Sequence, residues 1–118
     1  MKQKLSVERI LSAYAVTSKA DFSKIEYEAQ IKVLNAMKAM RPVSDNYRAF
    51  VKELDEKKNR KEIAGEALVK VINDEAERIV EIDIAPFTED EMKAVLKNNT
   101  LTGADMLALD DVFGSKKK

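Results

Sequence analysis

The chain has 118 residues, of which 45% are hydrophobic and 36% are charged, and its 21 basic residues balance its 21 acidic ones. This composition fits one soluble domain, and the zero net charge disfavours a general affinity for nucleic acid or for an anionic membrane. Cysteine and histidine are both absent. The chain therefore lacks the usual general base, the most reactive nucleophile and the usual transition-metal ligands, and we expect neither enzymatic activity nor a cofactor.

The N-terminal third of the chain predicts a strand followed by two helices. Alternation over residues 2–6 indicates a short strand, and apolar residues at helical spacing follow it. Ser23 and Glu26 have the spacing of a capping box, which predicts a helix over residues 24–39. Its apolar stripe would consist of Tyr27, Ile31, Leu34 and Met37. Pro42 should end this helix, because proline disfavours helical backbone in the residue before it.

The middle of the chain predicts a helical hairpin. Ser44 can cap a helix whose buried face would hold Tyr47, Phe50, Val51 and Leu54. Residues 55–62 contain no apolar side chain, which fits either the bend of a hairpin or a solvated stretch of one continuous helix. A second apolar stripe then comprises Ala64, Leu68, Val71, Ile72, Ala76 and Ile79. We favour the bend, in which the two stripes cover each other, whereas a continuous helix would leave them for another subunit.

A second strand is predicted within residues 79–87, where apolar and acidic side chains alternate. The apolar face holds Val80, Ile82 and Ile84, and the other face holds Glu81 and Asp83. A strand needs a partner for its backbone donors and acceptors, and residues 2–6 can supply one within the chain. The three apolar residues are therefore predicted to lie in a two-stranded sheet or at an interface.

Two further helices are predicted after the second strand. Thr88 and Glu91 form another capping box, and Thr102 can cap a last helix that ends near Gly114. The fold class is thus mainly α (α+β), with the helical hairpin, the small sheet and the short C-terminal helices in a single domain over residues 1–114. Residues 115–118 form a basic tail that we expect to be mobile.

The candidate ligand-binding residues are basic or aromatic and come from the predicted hairpin. Lys57, Lys58, Arg60 and Lys61 could bind a phosphate, and Tyr47 could stack on a nucleobase. The alternative for the basic residues is a solvated bend, and the alternative for Tyr47 is the helix core. No aromatic residue interrupts the basic cluster, which further disfavours single-stranded nucleic acid.

Acidic side chains around the second strand raise the possibility of a metal site, because hard cations bind carboxylate oxygens. The sequence lacks the glycine-anchored pattern of a calcium loop, and carboxylates on a wet strand face or in a first helical turn have structural roles. We therefore predict no metal. No apolar run approaches about 18 residues, so neither a membrane span nor a signal peptide is predicted.

Three segments carry a family resemblance: residues 5–11 (Leu-Ser-Val-Glu-Arg-Ile-Leu), residues 79–87 (Ile-Val-Glu-Ile-Asp-Ile-Ala-Pro-Phe) and residues 102–113 (Thr-Gly-Ala-Asp-Met-Leu-Ala-Leu-Asp-Asp-Val-Phe). Together they resemble short, largely uncharacterised proteins of bacteriophages and prophages. The resemblance implies a phage accessory protein in the host bacterial cytoplasm. We expect it to form a homo-oligomer and to bind a host target, either a defence protein or a nucleotide signal. The alternative is a component of the virion or of its assembly.

Overall fold

A computed structural model of the chain describes residues 2–61 and 63–114. The described residues form a mainly α fold with a small antiparallel sheet, as predicted. In chain order the elements are β1 (Lys2–Ser6), α1 (Val7–Lys19), α2 (Tyr27–Asn59), α3 (Gly65–Glu77), β2 (Ile79–Asp83), α4 (Glu89–Lys97) and α5 (Gly103–Phe113). The predicted basic tail lies outside the described residues.

The sheet pairs the two strands that the sequence predicts. β1 and β2 are antiparallel, with Leu5 opposite Val80 and Gln3 opposite Ile82. β2 ends at Asp83, so Ile84 of the predicted apolar face lies just beyond the strand, although its side chain is buried like that of Ile82. Strands that are far apart in the sequence thus hold the start of the chain against its second half.

α1 lies at the centre of the hydrophobic core. Ser6 caps the helix, because its Oγ accepts a hydrogen bond of 3.2 Å from the backbone N–H of Arg9. Ile10 and Ala13 are fully buried on the core face of α1, and the helix packs against α2 on one side and α5 on the other. α5 closes the core with Leu109, Val112 and Phe113.

α2 is one continuous helix of 33 residues, so the predicted break at Pro42 is wrong. The predicted cap at Ser44 is wrong as well, because this residue is buried in the middle of the helix. Pro42 lies on the exposed side, while Met40 and Ser44 are buried on the opposite side. Packing around these two residues offsets the roughly 3 kcal/mol that an internal proline costs. At about 50 Å, the helix accounts for the 52 Å length of the molecule.

The first turn of α2 also differs from the prediction. The carboxylate of Asp21 accepts hydrogen bonds from both the N–H and the hydroxyl of Ser23, at 2.8 and 2.6 Å, so Ser23 does not cap the helix. Glu26 occupies the cap position instead, without a side-chain cap.

The buried stripe of α2 is not the predicted one. It is made of Ala29, Val33, Ala36 and Met40. Tyr27 is 75% exposed and Leu34 is 48% exposed, while Ile31 and Met37 are half-buried. Small alanine side chains allow close helix approach, and α1 packs on this helix.

Both predicted caps in the C-terminal part are present. The backbone N–H of Glu91 donates to Thr88 Oγ1 at 3.1 Å, and its carboxylate accepts from the N–H of Thr88 at 2.8 Å. Thr102 makes the equivalent pair with Asp105. α4 buries Val95, and the rings of Phe87 and Phe113 stack with centroids 4.3 Å apart. The C-terminal helices therefore complete the core around β2.

Candidate interaction surface

The molecule divides into a well-packed body and a projecting helical pair. We call residues 44–77 the hairpin: it comprises the second half of α2, a turn and α3. The remaining described residues form the body. α2 ends at Asn59 and α3 packs back against α2 and α1, which confirms the predicted bend. The turn contains Lys61 in a left-handed conformation, with φ of 60°.

The apolar stripes of the hairpin are only partly covered. Among its described residues, Leu54 and Leu68 are the only buried apolar side chains. The rest of the two predicted stripes is half-buried at Tyr47, Phe50, Val51, Val71, Ile72 and Ala76, or exposed at Ala64. Ile79, which the second stripe included, lies in β2 and is 60% exposed. The prediction that the stripes bury each other is therefore correct only near the two leucines.

This incomplete burial follows from the architecture. Two helices in a single layer can cover only the seam between them, whereas a four-helix arrangement encloses a whole stripe on each helix. The hydrophobic core ends at Met40 on α2 and includes no residue of the hairpin. The flanks of the seam therefore form an apolar surface that another protein could cover.

The predicted ligand-binding residues do not come together. Lys57, Lys58, Arg60 and Lys61 lie at the tip of the hairpin, where Lys57 Nζ is 3.7 Å from Glu53 Oε1 and the other three are exposed. Tyr47 is ten residues before Lys57 on the same continuous helix, about 15 Å away along its axis. The basic tip is therefore a solvated bend without an aromatic neighbour from Tyr47.

Two of the three predicted interface residues of β2 belong to the core. Ile82 and Ile84 are buried, and only Val80 is half-buried. The opposite face of the strand is exposed, and Lys2 Nζ lies 3.5 Å from Glu81 Oε1 across the sheet. The side chains at 82 and 84 thus contribute to folding rather than to an accessible surface.

Acidic residues gather at the end of α3. Asp74, Glu75 and Glu77 lie in its last turn, which has no basic residue. Glu75 Oε1 accepts a hydrogen bond of 2.6 Å from Arg78 Nε, while Asp74 and Glu77 are exposed. Across residues 2–61 and 63–114, no three acidic side chains converge in a way that could hold a metal ion. The sequence raises these residues only within a metal site that it disfavours, and it does not predict their unfavourable position at a helix end.

The body contains a cavity of about 460 Å³ between the start of α4 and the end of α5. Glu89, Met92 and Asp110 line it together with Phe87 and Phe113, whose stacked rings are only 2% and 0% exposed. The cavity also reaches Gly114, the last described residue. The carboxylates of Glu89 and Asp110 would repel a phosphate, and the buried rings offer little surface on which a ligand could stack.

No helix in the described part of the chain is both long and apolar enough to cross a membrane. Comparisons of the chain with models of protein families, with curated proteins and with solved structures find no match.

Proposed function

We propose that this protein is a non-enzymatic phage accessory protein that self-associates through its hairpin and binds a host target. The observation that carries the proposal is the partly covered apolar surface of the hairpin, which contrasts with the closed core of the body. Fully burying a large apolar side chain contributes about 1.5 to 3 kcal/mol. Completing the burial of several half-covered side chains would therefore favour association.

Between the two host targets, a defence protein is favoured over a nucleotide signal. A nucleotide site would need cations for the phosphate and an apolar or aromatic surface for the base. The basic tip and Tyr47 are separated by about 15 Å along α2. A protein target requires only surface complementarity, which an exposed helical pair can provide.

The alternative function, a virion or assembly component, draws support from the sheet. It has only two strands in the described residues, so each strand keeps one edge that no strand pairs. Such an edge can accept a strand from a neighbouring subunit in a particle. Mass spectrometry of purified virions separates the two functions, because a particle component should be present there in stoichiometric amounts.

The self-association is tested by analytical ultracentrifugation of three proteins. We expect the wild-type chain to be oligomeric and Ile72→Glu to be monomeric, because the substitution places a charge in the half-covered hairpin surface. Leu107→Glu is the matched control, because Leu107 is 69% exposed on α5 of the body. It should remain oligomeric. A wild-type chain that stays monomeric at every concentration would overturn the proposal.

The host target is tested by expressing the oligomeric protein in bacteria with and without a phage defence system. We expect it to restore phage growth only where the defence is present, and Ile72→Glu to lose this effect. A purified protein that retains a nucleotide from infected-cell extract would instead assign the nucleotide signal. No protection and no retained ligand would exclude the host-directed function.

A further inference from the structure

The two ends of the hairpin carry opposite charges. Residues 57–61, at the tip, include four basic side chains, and Asp55, Glu56 and Glu62 flank them in the sequence. The base of the hairpin, where α3 ends, holds Asp74, Glu75 and Glu77. α3 has 13 residues, so these two charged regions lie about 20 Å apart along the hairpin.

The basic tip suits the end of its helix, whereas the acidic base is unfavourable at the end of α3. Lys57 and Lys58 lie in the last turn of α2, where positive charge interacts favourably with the helix dipole. Three acidic residues lie in the last turn of α3, where their negative charge interacts unfavourably with the dipole of that helix. Arg78 compensates Glu75 alone in that group, through its 2.6 Å contact. Lys4 and Arg9 line the same surface depression as Glu77, and positive charge from a second chain would add to theirs.

We infer that the hairpin is covered by the hairpin of a second copy of this chain, in antiparallel orientation, so that the tip of each lies beside the base of the other. This inference rests on the proposed self-association and specifies its geometry. A two-fold axis across the middle of the hairpins makes the same tip-to-base contact twice. A parallel pair would place tip against tip and base against base, where like charges repel.

The apolar surface fits the same arrangement. The half-buried side chains lie between the charged ends, at Tyr47, Phe50 and Val51 on α2 and at Val71 and Ile72 on α3. Two antiparallel hairpins give four helices, whose facing stripes would enclose these side chains. Apolar burial would then supply affinity, and the charges at both ends would fix the orientation.

Charge reversal tests the orientation. Lys58→Glu combined with Lys61→Glu should raise the dimer dissociation constant about tenfold or more at low salt, and so should Asp74→Lys combined with Glu77→Lys. The variant with all four substitutions restores opposite charges across the interface. It should return to within about threefold of the wild-type value.

A matched control uses two exposed lysines of the body. Lys38→Glu combined with Lys97→Glu makes the same change in net charge, away from the hairpin. Its dissociation constant should stay near that of the wild type. A monomeric wild type would defeat the self-association itself. Two other results would overturn only the antiparallel geometry. One is a dissociation constant that neither double reversal changes, and the other is a variant with all four substitutions that does not return toward the wild-type value.

A second measurement does not depend on the charge variants folding. The chain has no cysteine, so Lys58→Cys provides a single site for a spin label. In an antiparallel dimer the two labels should be at least about 20 Å apart, the length of α3, whereas a parallel dimer would bring them much closer. Labels in close contact would contradict the inference.

Discussion

The body buries its apolar side chains more completely than the hairpin does. In the described residues, 20 apolar side chains are buried, and only Leu54 and Leu68 among them belong to the hairpin. In the body, α1 is covered by α2 and α5. The hairpin has one layer of two helices, so the same kind of amphipathic sequence leaves its flanks half-covered.

The ion pairs follow the same division. Lys32 Nζ lies 2.6 Å from Glu91 Oε1 and links α2 to α4, and Lys19 Nζ lies 3.0 Å from Asp105 Oδ2 and links α1 to α5. In the hairpin, the pair of Lys57 with Glu53 is local to one helix. Both of the ion pairs that link distant helices therefore lie in the body, whereas the pair in the hairpin stabilises a single helix.

The largest expected effect comes from placing the same charge in each region. Ile82→Asp puts a carboxylate at a position in the body that is only 6% exposed. The lost burial and the unpaired charge should cost at least about 4 kcal/mol, enough to unfold a marginally stable domain. Circular dichroism should show the loss of helix.

Val69→Asp is the control in the hairpin, because Val69 is 58% exposed. This variant should retain the helical spectrum of the wild type. A folded Ile82→Asp protein would remove the distinction between a closed body and an open hairpin.

A smaller loss of stability is expected from a substitution at the C-terminal end of the body, where the chain is closely packed. A Cβ added at Gly114 would lie 2.5 Å from the carbonyl oxygen of Asp110, so Gly114→Ala must displace the end of α5. We expect a loss of about 1 to 3 kcal/mol in urea unfolding. Gly103→Ala is the control, because no atom lies within 4 Å of its added Cβ. It should be neutral or stabilise by up to about 1 kcal/mol.

Local signals in the sequence predicted much of the fold. The cap at Thr88 needs only a hydroxyl and a carboxylate three residues apart, and both of its hydrogen bonds are present. The alternation at Val80 and Ile82 likewise predicted a strand and its pairing with β1. These features depend on neighbours in sequence or on a simple period of two.

The errors arose where tertiary packing outweighs local preference. Pro42 is a helix breaker in isolation, yet the buried residues Met40 and Ser44, which precede and follow it in the sequence, keep α2 continuous. The predicted buried face of α2 consists of large apolar side chains, whereas the observed buried stripe includes the small side chains of Ala29 and Ala36. Sequence spacing also left open how far Tyr47 lies from the basic tip, because that distance depends on whether the helix continues through residues 55–59.

The smallest expected difference between the two regions is in how their stability depends on pH. Partial burial acts to raise the pKa of Glu91, but the hydrogen bonds from Lys32 Nζ and the N–H of Thr88 outweigh it, so the pKa lies below its usual value. The hydrogen bond from Lys19 is the main reason that the pKa of Asp105 is also lowered. Carboxylates with lowered pKa contribute stability above their unfolded pKa, and this contribution is lost as pH falls through the folded pKa.

The body should therefore begin to lose stability as the pH falls below about 5, where unfolded carboxylates take up protons, and should lose more as these two groups are protonated in the folded state. Urea unfolding at a series of pH values measures the loss. Glu91→Gln removes one of the groups, and it should lower stability at pH 7 by about 1 kcal/mol and flatten the acid slope. Glu89→Gln is the control, because its pair with Lys93 is exposed and lies within one helix. If both variants kept the wild-type slope, the ion pair between α2 and α4 would not be what distinguishes the body from the hairpin in acid.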